Sequence, residues 1–156
     1  MTILFHPDES ILKSDAQTLV CPVNCTGVMG SGLALTFSKT FKGLLYHYRK
    51  ACERGDINII DGVPSFWVHK VDNKLQVLCF PTEKDYNDKP ERETIIRGME
   101  KLVKEYQDYG IRSLSVPMKI GTESGCFSWD DISNDVVSHL SKLKIPVTIF
   151  GSVDQN

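Results

Sequence analysis

The stretch from Val23 to Phe37, V-N-C-T-G-V-M-G-S-G-L-A-L-T-F, limits what the chain can fold into more than any other. An apolar run (Leu19, Val20, Cys21, Val23) delivers the backbone to a polar pair, Asn24 and Thr26. Gly27, Gly30 and Gly32 follow, then a helix-like run of Leu33, Ala34, Leu35 and Phe37. A strand that passes through a glycine-rich turn into a helix is one way to hold a phosphate. Glycines let backbone N–H groups approach the anion, and the helix N-terminus adds a favourable dipole. Neither standard phosphate motif is present. A P-loop needs Lys and Ser/Thr where Ser31 and Gly32 stand, and the order G-x-x-G-x-G departs from the dinucleotide fingerprint G-x-G-x-x-G. On this stretch alone, a plain glycine turn between a core strand and a packing helix is also open.

The remaining pattern alternates strands and helices. Ile3 to Phe5 reads as a short strand stopped by Pro7, with His6 to Ser10 as a turn. Thr18 to Val23 is a near-continuous apolar run suited to a strand covered on both faces. Leu33 to Tyr48 has helical spacing, with Gly43 splitting it in two and Gly55 ending it. A D-G turn at Asp61-Gly62 and a polar turn at 71–74 predict hairpin-like strands through Phe80. Glu91 to Tyr109 is a helix capped by Gly110, and Leu114 to Pro117 a strand. A second glycine-bearing loop, Lys119 to Trp129, leads to a helix that Ser128 or Asp130 can cap. Val147 to Phe150 closes the chain. This order predicts one α/β domain with helices on both faces of a mixed sheet. Ligands of such sheets bind where loops leave the carboxyl ends of strands, so a pocket is expected between the loops after Val23 and after Pro117.

With 156 residues the chain suits a single domain spanning 1–156, and a net charge of −2 argues against a surface that coats nucleic acid generally. Its five cysteines form no C-x-x-C pair and are odd in number, which suits free thiols in a reducing compartment. No ligand spacing for a metal is found, His6, His47, His69 and His139 included, and no cofactor is implied. The N-terminal residues lack a secretory pattern and no apolar run reaches membrane-span length. A cytoplasmic, monomeric protein without membrane or metal partners is the expectation.

These residues resemble the macro domains, which bind ADP-ribose. The resemblance covers nearly the whole chain. It includes N-C-T-G-V-M-G-S-G-L-A-L-T-F, A-C-E-R-G-D, F-P-T before a charged loop, Y-G-I-R-S-L-S-V-P, the second glycine loop and V-T-I-F. The first loop is most similar to the branch with DNA ADP-ribosyl-glycohydrolase antitoxins and terminal ADP-ribose protein glycohydrolases. The F-P-T segment also resembles ADP-ribose 1″-phosphate phosphatases. The resemblance implies a three-layer α/β/α fold with a mixed central sheet. It implies that Asn24 orients the distal ribose, and that Gly27, Val28, Gly30, Ser31 and Gly32 wrap the distal ribose and diphosphate. Ile120, Gly121, Thr122, Glu123, Ser124, Gly125, Cys126 and Phe127 match the opposing phosphate clamp, and Phe150 borders the adenine.

Three positions depart from the family pattern. The aspartate that holds the adenine amino group falls on Ser10, with Asp8 nearby. The catalytic lysine that follows the threonine of F-P-T is Glu83 here, and Lys84 comes one residue later. Addition of a lysine to the sugar aldehyde, or activation of water by Glu83, are the two chemistries open to this pair. The second-loop aspartate of the protein-ester hydrolases is Gly125. The implied activity is removal of ADP-ribose from a modified DNA, RNA or protein. The alternatives are an ADP-ribose 1″-phosphate phosphatase, or a non-catalytic module that sequesters ADP-ribose or a related nucleotide signal. Cys25 lies in the key loop without a neighbouring base to activate it.

Overall fold

A computed structural model describes residues 3–122 and 126–152. The strands are β1 (Ile3–Ser10), β2 (Thr18–Asn24), β3 (Asn58–Ile60), β4 (Val63–Ser65), β5 (Trp67–Lys70), β6 (Gln76–Glu83), β7 (Leu114–Pro117) and β8 (Val147–Ser152). The helices are α1 (Gly32–Thr40), α2 (Leu44–Arg54), α3 (Arg92–Glu105) and α4 (Trp129–Leu140). Six strands form the main sheet in the order β1-β8-β7-β2-β6-β5, and β3-β4 is a separate hairpin. Every neighbouring pair in the main sheet is parallel except β5 and β6, so the sheet is mixed as expected.

Strand alternation divides the core between the two faces. On β2, Leu19, Cys21 and Val23 face α1 and α2, where Phe37, Leu44, Tyr48 and Ala51 pack. Val20 faces the other way, toward Ile95, Met99 and Leu102 of α3 and Ile132, Val136 and Leu140 of α4. On β6, Val77 and Cys79 join the first cluster, Leu78 and Phe80 the second. Every residue of β2 is buried, because helices cover both faces. Trp67 and Trp129 are half-buried, each against one of these clusters.

Several boundaries differ from the sequence expectation. β1 does not stop at Pro7. It continues to Ser10 along β8, with a register irregularity between His6 and Ser10. Proline is tolerated there because β1 is an edge strand and the irregular stretch takes Pro7 out of the ladder. The bulge lies against β8, where a Cβ on Gly151 would come within 2.4 Å of the Pro7 carbonyl oxygen. α3 ends at Glu105, four residues before Tyr109, and the chain reaches Gly110 through turns. The predicted break at Gly43 and stop at Gly55 are both observed as helix caps. Ser128 caps α4, its N–H donating to Asp131 Oδ2 at 2.8 Å.

Close packing of α3 on the sheet depends on Gly98, where a Cβ would stand 2.2 Å from Phe80 Cζ and 3.0 Å from Pro64 Cγ. Gly98→Ala is therefore expected to destabilise the fold by about 1–3 kcal/mol, read as a lower urea midpoint with an unchanged slope. An unchanged midpoint would mean that α3 can move away from the sheet at no cost.

Candidate active site

The carboxyl ends of β2 and β6 come together. The two strands pair in register from Thr18 opposite Gln76 to Val23 opposite Pro81; the register then shifts, so that Asn24 stands opposite Glu83. The Cys25 N–H donates to the Lys84 carbonyl at 2.8 Å, which ties the two following loops together. By contrast, β2 and β7 pair only at Thr18 and Leu19, so their carboxyl-terminal halves part. Crevices of α/β sheets form where neighbouring strands separate in this way.

Asn24 is 7% exposed and organises the first loop. Its Oδ1 accepts from the Thr26 N–H at 3.1 Å, the Thr26 hydroxyl at 3.1 Å and the Val28 N–H at 3.3 Å. Its Nδ2 donates to the Val28 carbonyl at 2.9 Å. The buried Tyr48 hydroxyl, from α2, lies 2.7 Å from both the Asn24 carbonyl and Oδ1. Burial pushes the Tyr48 phenol well above its ordinary range, so it stays a neutral donor. Asn24 is thus a loop-former first, and these bonds leave one Nδ2–H for a ligand. Gly27 adopts φ 83°, and its carbonyl accepts from Arg49 Nε at 3.0 Å. A side chain at Gly27 would be strained by that φ and crowded by Arg49 Cγ, 3.1 Å from a Cβ.

A cleft of about 510 Å³ opens between this loop and the chain leaving β6. Asn24, Val28, Gly30 and Ser31 line one side; Thr82, Glu83, Tyr86 and Asp88 line the other. A Cβ on Gly30 would meet nothing closer than Val28 Cγ1 at 3.5 Å. Protein packing therefore does not demand glycine there, and its bareness keeps the cleft open. α1 starts beside this wall with no side-chain cap from Ser31 and no acidic residue in its first turn. The dipole of α1 favours negative charge at this end.

Glu83 lines the cleft and accepts a hydrogen bond from the Thr82 hydroxyl. Lys84 is placed differently. It is exposed and lines an adjoining cavity, not the cleft that holds Asn24. Glu83 lines both cavities and Lys84 only the adjoining one, so of the two candidates only Glu83 reaches the cleft that holds Asn24. Cys25 is no nucleophile: burial, then the neighbouring Cys52 and Glu83, push its thiol up to about 12.

The other expected contacts divide. Ser10 is buried, and its Oγ accepts the Leu12 N–H at 3.1 Å to cap a short 3-10 turn; Asp8 is exposed on the β1 edge. Phe150 is 6% exposed and packs in the core, while His6 stacks on it with ring centroids 5.3 Å apart. His6, read from the sequence as a turn residue, is thus the more accessible ring at that end of the sheet. The sequence carried no signal for it, because the partnership is across strands. His47 and His69 also meet, stacked at 5.6 Å, although no group of three metal-binding side chains occurs among the described residues. In the second loop Ile120 is a core residue, and Gly121, Thr122, Cys126 and Phe127 follow it; none of these lines either cavity. Glu123, Ser124 and Gly125 lie outside the described residues. Among the described residues, the cleft joins the first loop to the loop after β6.

No family model matches the chain. Individual proteins do. The DNA ADP-ribosyl glycohydrolase of Mycobacterium tuberculosis is 32% identical over 135 residues, which takes in 85% of this chain and 37% of that protein. The macrodomain of Thermus aquaticus DarG superimposes with a TM-score of 0.85 at 27% identity, covering 97% of this chain and 98% of that one. Thermosipho africanus DarTG, solved in complex with ADP-ribose, matches with a TM-score of 0.80 at 28% identity over 90% of this chain and 39% of that one. The chain belongs to the macro domain family. Its similarity is to the macrodomains of DarG in particular, and it spans well under half the length of the glycohydrolase relative it matches.

The Tyr48–Asn24 contact generates a prediction. Tyr48→Phe removes the donor that braces the loop from α2 and is expected to lower stability by about 1–2 kcal/mol. Chemical denaturation measures this loss, and calorimetry measures the loss of affinity expected for any ligand the first loop holds. An unchanged affinity would show that the loop holds its shape without Tyr48.

Proposed function

We propose that this domain binds ADP-ribose in the Asn24–Glu83 cleft and hydrolyses the bond that joins it to a DNA base. The observation that carries this reading is the placement of Asn24 opposite Glu83 on adjacent strands, both lining one cleft beside the start of α1. Similarity to relatives named DNA ADP-ribosyl glycohydrolase supports DNA as the modified macromolecule.

In this reading the diphosphate lies against the N–H groups of the Gly30–Gly32 segment, where the helix dipole favours it. The remaining Nδ2–H of Asn24 donates to a hydroxyl of the distal ribose. The stacked His6–Phe150 pair borders the adenine. Glu83 takes a proton from a water molecule whose oxygen bonds to the anomeric carbon. The bond from that carbon to the base breaks, its electron pair goes to the base nitrogen, and that nitrogen is protonated. Lys84 stands outside this arrangement, so addition of a lysine to the sugar is not the chemistry proposed.

A second reading is favoured by the hydrogen bond from Thr82 to Glu83, which engages the carboxylate that stands opposite Asn24 on the neighbouring strand. The domain would then bind ADP-ribose without releasing it from anything.

Release of ADP-ribose from an ADP-ribosylated oligonucleotide separates the two. Glu83→Gln is expected to slow release by about 100-fold or more while ADP-ribose affinity is retained. Lys84→Ala is expected to cost far less. The assignment of Glu83 fails if the order of the two effects is reversed, and the second reading holds if wild-type protein binds ADP-ribose but releases none.

A further inference from the structure

A second cavity, of about 610 Å³, adjoins the cleft and shares Thr82, Glu83 and Asp88 with it as lining. Its remaining walls are the β3–β4 hairpin (Ile59, Asp61, Gly62), the charged loop after β6 (Lys84, Lys89, Glu91) and Thr94 of α3. Thr94 is 5% exposed. Its hydroxyl has no hydrogen-bond partner among the described residues, and it does not make the bond to the carbonyl four residues back that helical threonines commonly use. A buried hydroxyl facing a cavity without a partner costs free energy until something enters and pairs with it.

The shared wall decides what that occupant is. A sugar presented to Glu83 from the cleft projects its leaving group past Thr82 and Glu83. We propose that this cavity is the leaving-group subsite and takes the nucleobase that carries the ADP-ribose, an inference that rests on the DNA reading above. The lining chemistry points to a base over a phosphate. Four carboxylates (Asp61, Glu83, Asp88, Glu91) outnumber two lysines, and carboxylates accept from the N–H edge of a base while repelling phosphate. Lys84 and Lys89 are exposed, and meet the flanking phosphates from the rim. Enzymes that act on a base take it out of the stack into such a pocket.

Two variants test this. Asp61 sits at φ 53° in the hairpin turn, a conformation that asparagine also tolerates, so Asp61→Asn preserves the turn and removes the charge. Thr94→Val removes the buried hydroxyl at constant shape. Each is expected to lower kcat/KM on a single-stranded ADP-ribosylated oligonucleotide about tenfold, with the calorimetric Kd for free ADP-ribose unchanged. Should wild-type protein bind the conjugate without cleaving it, the DNA glycohydrolase reading fails, and this cavity is read by affinity instead. The conjugate must then bind more tightly than free ADP-ribose, with that gain lost in both variants. The proposal is overturned if neither variant affects the conjugate. It is also overturned if the conjugate binds no more tightly than free ADP-ribose, or if wild-type protein prefers an arginine-linked ADP-ribosyl peptide, which would make the subsite one for a guanidinium.

Discussion

The parallel pairing of β2 with β6 is the interaction on which the rest depends. These two strands are buried along nearly their whole length, and each supplies residues to both core clusters. Their ladder runs without interruption until Val23, where the register shifts and Asn24 takes its place opposite Glu83. That shift falls at the point where the chain leaves the sheet. A one-residue change of register turns side chains to the opposite face, so the irregularity determines which groups look into the cleft. The Cys25–Lys84 backbone bond holds the result in place.

The first loop shows how binding capacity is built from structural bonds. Asn24 spends most of its amide on its own loop, and Tyr48 reaches it from α2. Such a network is satisfied before any ligand arrives, so little ordering cost remains to be met on binding. The cleft wall formed by Gly30 and Ser31 has the opposite character. There Gly30 brings no side chain, and Ser31 gives α1 no side-chain cap.

Much of this was legible in the sequence. The apolar run before Asn24, the glycine breaks at 43 and 55, and the Asp61-Gly62 turn each have a local physical cause, and each appears where local reasoning places it. The family resemblance correctly anticipated the three-layer fold. What was not legible is set by contacts between distant residues. The continuation of β1 past Pro7 depends on β8 accepting a bulge beside Gly151. That Glu83 and not Lys84 lines the cleft beside Asn24 depends on how the chain leaves β6, which a charged loop sequence does not reveal. The stacking of His6 on Phe150 and the empty-handed hydroxyl of Thr94 are likewise products of packing between elements.

The central claim is that the cleft beside Asn24 and Glu83 is an ADP-ribose site, and direct titration tests it most simply. Calorimetry of the wild-type chain with ADP-ribose should give saturable binding at one site per chain, with the heat lost when Gly30→Trp fills the cleft. Absence of binding at millimolar ADP-ribose, or equal binding by the filled variant, would contradict the account.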